Sequence, residues 1–387
     1  MKKVTRSEEL AALSEVLDEG ILVENGGGPK VRRFAEQFAR YIGVPYGIGV
    51  PSGTAALAVS LAALQIGIDD EVIVPAFTYI ADASTILLRN AIPVLADIDP
   101  VTMCIDPADI ERKLTPKTKA ILLVHINGHP CEMDRIMEIA RQHSLAVIED
   151  CCQAHGGTYK GKKLGSFGDL ACFSFSKRHI LSCGGGGLVV SARQDLIEIA
   201  SLLTFHGIAD WASLWQEDRD YNRLGFNYSM SEFHAALGLL HLAHLDSYVE
   251  QNRLLASVYR AELGEIRQLE LPPDSEDGLS VYHHFSVKVA ADAGFSRSAL
   301  LAELRKRKVP FMVNLPPLSK VSIVARRSDP ALFRSDTYHT NFSVPVAEDV
   351  ANRVIALFCD WSKEKEEIAC YAQQIKLAID DLLQAKV

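Results

Sequence analysis

The stretch FSFSKRHILSCGGGGLVV, residues 173–190, places a polar loop and a run of glycines between two apolar segments. The flanking segments, Ala171–Ser176 and Gly187–Ser191, are typical of short buried strands. Further strands are predicted upstream, at Glu71–Pro75, Ile92–Ile98, Ala120–Ile126 and Leu145–Asp150. Segments with helical spacing separate them, at Thr54–Gln65, Ile80–Asn90 and Cys131–His143. This alternation predicts an α/β fold whose mostly parallel sheet is covered by helices on both faces and binds its ligand at the carboxyl ends of the strands.

The second half of the chain shows a different pattern. Met230–Leu263 predicts one long helix that bridges two domains. A strand is expected at Val281–Ala290, a helix at Ser298–Lys308, and closing helices near 349–358 and 363–384. We therefore expect a large ligand-binding domain with an N-terminal arm at residues 1–240, and a smaller α+β domain at residues 241–387.

Composition limits the possible partners. The chain has 387 residues, of which 48% are hydrophobic and 23% charged, enough for two cores. Its net charge of −9 argues against nucleic acid or an anionic membrane as a partner, because both favour a basic surface. The eight cysteines include no C-x-x-C pair, and no signal peptide or membrane-spanning stretch is evident. These features predict reduced thiols, a cytoplasmic location and a small-molecule substrate.

A candidate phosphate site lies in PSGTAAL, residues 51–57. Gly53 and Thr54 open an Ala-rich helix, so free backbone N–H groups and the positive helix end would face a bound anion. Ser-Gly-Thr before a helix is equally typical of a plain N-cap.

Two side chains could contact an aromatic cofactor. Asp150 ends a predicted strand, where a carboxylate could pair with a protonated pyridine nitrogen, although strand-terminal aspartates also cap helices. Tyr79 follows another predicted strand and could stack on a ring, or it could be a core aromatic residue.

Taken together, these motifs resemble the DegT/DnrJ/EryC1/StrS family of sugar aminotransferases, which bind pyridoxal phosphate (PLP). The resemblance is dense over roughly residues 10 to 260 and implies the fold-type I architecture of PLP-dependent transferases. It implies cofactor contacts for a set of residues matched one by one: Gly53, Thr54, Tyr79, Asp150, Gln153, Ser174 and Asn227. In the family the asparagine matched by Asn227 reaches the phosphate of the neighbouring subunit, which implies a homodimer with shared active sites.

The family's Schiff-base lysine is missing from its usual position. An ungapped match places His179 there, whereas Lys177 reaches it only through a two-residue shift and a compensating one. A subgroup with histidine at this position removes the C3 hydroxyl of nucleotide-linked 4-keto-6-deoxy sugars, as in the colitose pathway. The resemblance therefore implies a dehydratase that uses PLP or pyridoxamine phosphate (PMP), with His179 as acid and base.

Two alternatives remain open at this stage. Lys177 could support ordinary transamination with an amino-acid amine donor if the loop is extended, or it could be a solvated loop lysine. The protein could also be a catalytically retired partner that binds cofactor or sugar. The substrate would be a keto sugar or related polyol.

Several features depart from the family. Glycine at 185 replaces the acid of the usual Gly-Glu-Gly-Gly, Ser229 stands where an arginine is usual, and residues 310–317 lack the His-Tyr-Pro substrate loop. His206 could line the substrate side or be an ordinary loop histidine. His283 and His284 would point to opposite faces of a regular strand, so we predict no metal site there or elsewhere.

Overall fold

The computed structural model describes residues 4–208, 221, 223–313, 315–325 and 342–385. Within them the strands are β1 (Tyr46–Val50), β2 (Glu71–Pro75), β3 (Ile92–Ala96), β4 (Thr118–Val124), β5 (Ala146–Asp150), β6 (Thr158–Tyr159), β7 (Lys162–Lys163), β8 (Leu170–Ser174), β9 (Gly187–Ser191), β10 (Leu269–Glu270), β11 (Gly278–Leu279), β12 (His284–Val289), β13 (Phe311–Val313) and β14 (Val354–Phe358). The helices are α1 (Arg6–Glu19), α2 (Pro29–Ile42), α3 (Gly53–Ala63), α4 (Ile80–Leu88), α5 (Pro107–Arg112), α6 (Met133–His143), α7 (Gln194–Thr204), α8 (Glu232–Leu242), α9 (Leu245–Leu263), α10 (Arg297–Lys306), α11 (Ser322–Ala325), α12 (Pro345–Arg353) and α13 (Lys365–Gln384).

A seven-stranded sheet in the order β1-β9-β8-β5-β4-β2-β3 organises the first half. The strands from β3 to β8 pair in parallel, and β9 pairs antiparallel with both β8 and β1. Their side chains are almost entirely buried, as expected for a sheet with helices on both faces. The mostly parallel α/β sheet predicted from the sequence is confirmed.

Two helices fix the sheet edge where the strands end. Helix α3 is apolar on every side and buried along nearly its whole length, so it belongs inside the protein. Helix α2 buries Phe34 and Phe38, whose rings lie 5.0 Å from Phe175 and 4.7 Å from Phe173. These contacts anchor the end of β8 and the start of the loop that follows it.

A second, antiparallel sheet in the order β10-β12-β14-β13 packs with α9, α10 and α13 around a separate core. Residues from both halves of the chain build the first core, which includes Leu318, Val324 and Val354. The domain boundary near residue 240 therefore stays a prediction.

Two of the predicted helices are wrong in detail. The single helix predicted at Met230–Leu263 is broken at His244, whose φ of −114° and ψ of 1° are not helical. The break lets α8 pack against α2 while α9 packs against α13. The helix predicted near 349–358 ends at Arg353, and Val354–Phe358 is the central strand β14. A short, wholly apolar run is compatible with either a buried helix or a buried strand, so periodicity alone could not separate them.

Two further sequence predictions concern membranes and thiols. Among the described residues, no helix is long and apolar enough to cross a membrane. All eight cysteines are free, and only Cys370 is fully exposed.

Candidate active site

A cavity of about 580 Å³ opens at the carboxyl ends of β5 and β8, where the parallel sheet is expected to bind its ligand. It brings together nearly all the residues that the sequence analysis singled out. Those lining it are Gly53, Thr54, Tyr79, Asp150, Gln153, Ser174, Lys177 and His179. His206 and Asn227 do not line it.

The base of the cavity is the turn that starts α3. Ser52 caps the helix, with its hydroxyl accepting the Ala55 N–H at 3.1 Å. The backbone at Gly53 approaches β8 so closely that an added Cβ would lie 2.7 Å from Ser174 Cβ. Free N–H groups of a buried helix start, with Ser174 and Thr54 beside them, form a cradle suited to a phosphate group.

This close approach gives a first testable expectation. Gly53→Ala should weaken PLP binding by roughly tenfold or more, because crowding a packed site costs about 1–3 kcal/mol. Titrating the variant with PLP and following its absorbance measures the change. Gly67→Ala is the matched control, because a Cβ at Gly67 meets nothing closer than 3.9 Å. Equal affinities for the two variants would contradict the assignment of the cradle.

Three predicted contacts surround the space where an aromatic ring would lie. Asp150 ends β5, and its Oδ1 accepts the Cys152 N–H at 2.8 Å. Gln153 Oε1 accepts the Asn127 N–H at 2.7 Å, which fixes the amide beside the cavity. Tyr79 is 54% exposed, so its ring is free to cover a ligand and is not a core side chain.

The loop after β8 presents His179 to the cavity. Residues 176–179 form a turn closed by the His179 N–H to the Ser176 carbonyl at 3.1 Å. The loop is therefore not extended, which removes the condition under which Lys177 was expected to share the orientation of His179. Lys177 and Arg178 are exposed and line the cavity beside Met312. Trp361 ties the far end of the loop to the second half of the chain, because its indole N–H donates to the Ile180 carbonyl at 2.9 Å.

His179 is the centre of a cluster of histidines. Its ring stacks on His283 at 5.4 Å and lies 5.7 Å from His155. Burial lowers the pKa of His179 to about 4, with Asp150 acting in the opposite direction. Burial likewise lowers the pKa of His284 to about 4, and those of His155 and His283 well below their usual range. At neutral pH these imidazoles are therefore uncharged.

The placement of His283 and His284 differs from the sequence prediction. Both line the cavity, with ring centroids 4.2 Å apart, and do not point to opposite faces. The reason is that β12 begins only at His284 and Tyr282 has a φ of +48°, so His283 lies outside the regular strand. Strand alternation therefore does not apply to this pair.

A buried acid was missed by the sequence analysis. Asp82, in the first turn of α4, is 0% exposed and accepts a hydrogen bond from the Thr78 hydroxyl at 2.6 Å. The signal available in the sequence was an acidic residue within the otherwise apolar helix IADASTILL. Such a residue is buried only with a partner or a function.

The remaining predicted residues lie elsewhere. His206 is exposed and lines a shallow depression with Tyr221, Arg223 and Leu224. Asn227 is exposed, and its Oδ1 accepts the Ser229 hydroxyl at 3.3 Å. Of the residues at the unusual substrate loop, Asn314 lies outside the described residues.

A second cluster of buried polar side chains includes Glu149, the residue next to Asp150 on β5. His125, Glu149 and Cys151 bring potential ligand atoms within 4.8 Å of one another. However, Glu149 accepts backbone N–H groups from residues 165, 167 and 168, together with His125 Nε2 at 3.1 Å. His125 Nδ1 in turn accepts the Cys131 N–H at 3.1 Å. These bonds explain the cluster as a brace for the loops next to Asp150.

The sheet, the helix-start cradle and the strand-terminal carboxylate define a PLP-dependent enzyme of fold type I. The model of the DegT/DnrJ/EryC1/StrS aminotransferase family matches residues 3–375, so the chain belongs to this family. It is 37% identical over 278 residues to GDP-perosamine synthase of Caulobacter vibrioides, covering 72% of this chain and 74% of that one. It is 34% identical to the UDP-N-acetyl-3-dehydro-alpha-D-glucosamine 3-aminotransferase of Acidithiobacillus ferrooxidans, covering 96% and 94%. The solved aminotransferase from Psychrobacter cryohalolentis superposes with a TM-score of 0.87 at 30% identity, covering 98% of each chain.

The cofactor is PLP or PMP, and the residues of this chain fit it. The Gly53 cradle would hold the phosphate, Asp150 would pair with the ring nitrogen, and Tyr79 would cover the ring. Lys177 and His179, the two candidates for the position of the family's covalent anchor, both line the cavity.

Proposed function

We propose that the protein is a PLP- or PMP-dependent dehydratase that removes water from a keto sugar or related polyol. His179 would transfer the proton. The observation that carries this proposal is the position of His179 in the cavity, where its imidazole is partly buried and Asp150 is close enough to act on its pKa. Lys177, in contrast, is an exposed residue of a turn at the mouth of the cavity.

The cofactor, when bound, would supply an electron sink that makes a carbon-bound proton at the reacting centre acidic. The imidazole of His179 is neutral at neutral pH and can accept that proton. Because the pKa of His179 is lowered to about 4, its imidazolium is a stronger acid than an ordinary histidine side chain. It returns the proton to the departing hydroxyl group, so that one proton and one hydroxyl leave together as water.

The other side chains of the cavity would bind and orient. Asp150 would hold the ring nitrogen, and Gln153 would be positioned by its bond to the Asn127 N–H. His283 stacks on the imidazole of His179 and would restrict its rotation. Lys177 and Arg178 place positive charge at the opening, which favours a substrate that carries an anionic group.

A second candidate is transamination of a keto sugar with glutamate or glutamine as amine donor. It is favoured by the names of the relatives, which are aminotransferases, and by the presence of Lys177 on the cavity lining. In this case Lys177 would have to turn inward when the cofactor binds.

We also propose a cytoplasmic homodimer with shared active sites. Asn227 does not line the cavity of its own chain and is exposed, as a residue that serves a neighbouring subunit would be. Exposed apolar side chains near the N-terminus, among them Leu17, Leu22 and Val23, offer a surface for a second copy.

Borohydride reduction in the presence of PLP tests the two functions against each other. We expect the wild-type protein to bind PLP without a reducible adduct, so that peptide mass analysis finds no modified Lys177. His179→Lys is the positive control, because it restores an amine at the family position and should yield an adduct on residue 179. An adduct on Lys177 that disappears in Lys177→Ala would overturn the dehydratase and establish transamination. Cofactor binding without turnover of any keto sugar would instead favour a retired partner protein.

A further inference from the structure

Two carboxyl groups meet beneath the cofactor site. Asp82 is fully buried, and its Oδ2 accepts the Thr78 hydroxyl at 2.6 Å. Its Oδ1 is also buried and receives no hydrogen bond from any donor group among the described residues. Burial, the charge of Asp150 and a side-chain hydrogen bond with Asp150 together raise the pKa of Asp82, so the two carboxyl groups are neighbours.

The surroundings of Asp82 do not favour a second negative charge. Asp150 is the titratable group that raises the pKa of Asp82, and Asp82 in turn helps to raise the pKa values of the Cys152 and Cys172 thiols, so none of these three neighbours is a cation. The start of α4 favours an anion, but this effect is small compared with the loss of hydration on complete burial. Repulsion by Asp150 acts in the same direction as burial.

We propose that Asp82 is a neutral carboxylic acid that donates its proton to Asp150 and so acts as a positioning residue for the cofactor's ring nitrogen. The hydrogen bonds then run in one direction, from the Thr78 hydroxyl to Asp82 and from Asp82 to Asp150. This assignment satisfies the buried Oδ1, because that oxygen carries the shared proton. Burial and Asp150 raise the pKa of Asp82 well above its usual range, in agreement with the geometry.

The arrangement has a consequence for Asp150. Its Oδ1 accepts the Cys152 N–H at 2.8 Å, and the proton of Asp82 supplies another donor to the same carboxylate. Two donors fix the plane of the carboxylate and orient its oxygens. Asp150 is thereby positioned to pair with a protonated ring nitrogen. Only the pairing of Asp150 with the ring nitrogen rests on the proposed function.

Infrared spectroscopy tests the proton on Asp82 directly, in the full chain with and without PLP. At neutral pH, Asp82→Asn should lose the carbonyl band of one protonated carboxyl group relative to wild type. Asp18→Asn is the matched control, because it makes the same change at an exposed position. A difference spectrum without that band would overturn the proposal. Should Asp82→Asn fail to fold, Thr78→Val replaces it. The carbonyl band should then persist at a shifted frequency, because the hydrogen bond to Asp82 Oδ2 is lost. Absence of the band would again overturn the proposal.

The pH dependence of stability provides an independent readout. A folded-state pKa above that of the unfolded chain gives stability that is complete below about pH 4 and is lost as the pH rises toward the folded pKa. The amide introduced by Asp82→Asn cannot ionise, so the melting temperature of this variant should gain on wild type as the pH rises above about 4 toward the folded-state pKa of Asp82. A constant difference over this range would contradict a protonated Asp82.

Two uncharged variants of Asp82 distinguish a positioning role from a packing role. Asp82→Asn keeps a donor toward Asp150, whereas Asp82→Leu has similar size and no donor. PLP affinity should stay within about threefold in Asp82→Asn and fall about tenfold or more in Asp82→Leu, as expected for a lost hydrogen bond to a charged group. Equal losses in both variants would assign Asp82 a structural role only. The infrared and melting experiments need neither turnover nor a known substrate. An adduct on Lys177 would therefore contradict the dehydratase proposal without affecting the proposal that Asp82 is protonated.

Discussion

His179→Asn is expected to lower kcat for water elimination by roughly 10²- to 10⁴-fold, the range that a positioned acid–base group contributes. Asparagine preserves the size and polarity of the site but cannot accept and return a proton. Because the cofactor is held without a covalent bond in this proposal, PLP and PMP affinities should change little. The measurement uses PMP-loaded protein with GDP- and dTDP-linked 4-keto-6-deoxy sugars, with glutamate or glutamine present to regenerate PMP, and follows the loss of one oxygen from the sugar by mass spectrometry; PMP supplies the two electrons that this deoxygenation requires.

The control for this variant is His143→Asn, which makes the same change on the exposed face of α6 and should leave turnover unaltered. His284→Asn is a second comparison, because its ring also lines the cavity but belongs to the other half of the chain. We expect a smaller loss there than at position 179. Full activity in His179→Asn combined with none in Lys177→Ala would assign the chemistry to Lys177.

The sequence predicted the central sheet well because its strands are short, wholly apolar and separated by helical spacing. It missed β1, whose sequence YGIGV carries two glycines and therefore has a weak strand signal. The structure explains Gly47, because a Cβ there would lie 2.9 Å from the Ala35 carbonyl oxygen on α2. Close packing of α2 on β1 therefore requires glycine at this position, although glycine is unfavourable within a strand.

The candidate site likewise contains residues that the sequence could predict and residues that it could not. Motifs that are contiguous in sequence, such as the turn at Gly53 and the loop at His179, could be recognised by their resemblance to the family, and both line the cavity. Contacts between distant segments could not: Asp82 lies 68 residues before Asp150, and His283 meets His179 only because the second half of the chain folds over the sheet. The left-handed conformation of Tyr282 was also invisible to a periodicity argument.

Asp150→Asn is expected to weaken PLP binding by roughly 30-fold or more, because removing one member of a buried charge pair costs about 2–5 kcal/mol. The variant keeps the shape of the side chain and an oxygen for the Cys152 N–H, so the loss reports the charge. Absorbance titration with PLP gives the affinity, and Asp18→Asn controls for the change in net charge. Unaltered affinity would contradict the pairing of Asp150 with the ring nitrogen.

Combining this variant with Asp82→Asn shows how the two acids depend on each other. When Asp150 becomes neutral, Asp82 loses the negative neighbour that helps to raise its pKa and is freer to ionise. An ionised Asp82 would then replace part of the missing charge, so Asp150→Asn alone should bind PLP more tightly than the double variant does. The effects on binding free energy should therefore be non-additive, as expected for groups in direct contact. Strict additivity would mean that the two carboxyl groups act independently and that no proton is shared between them.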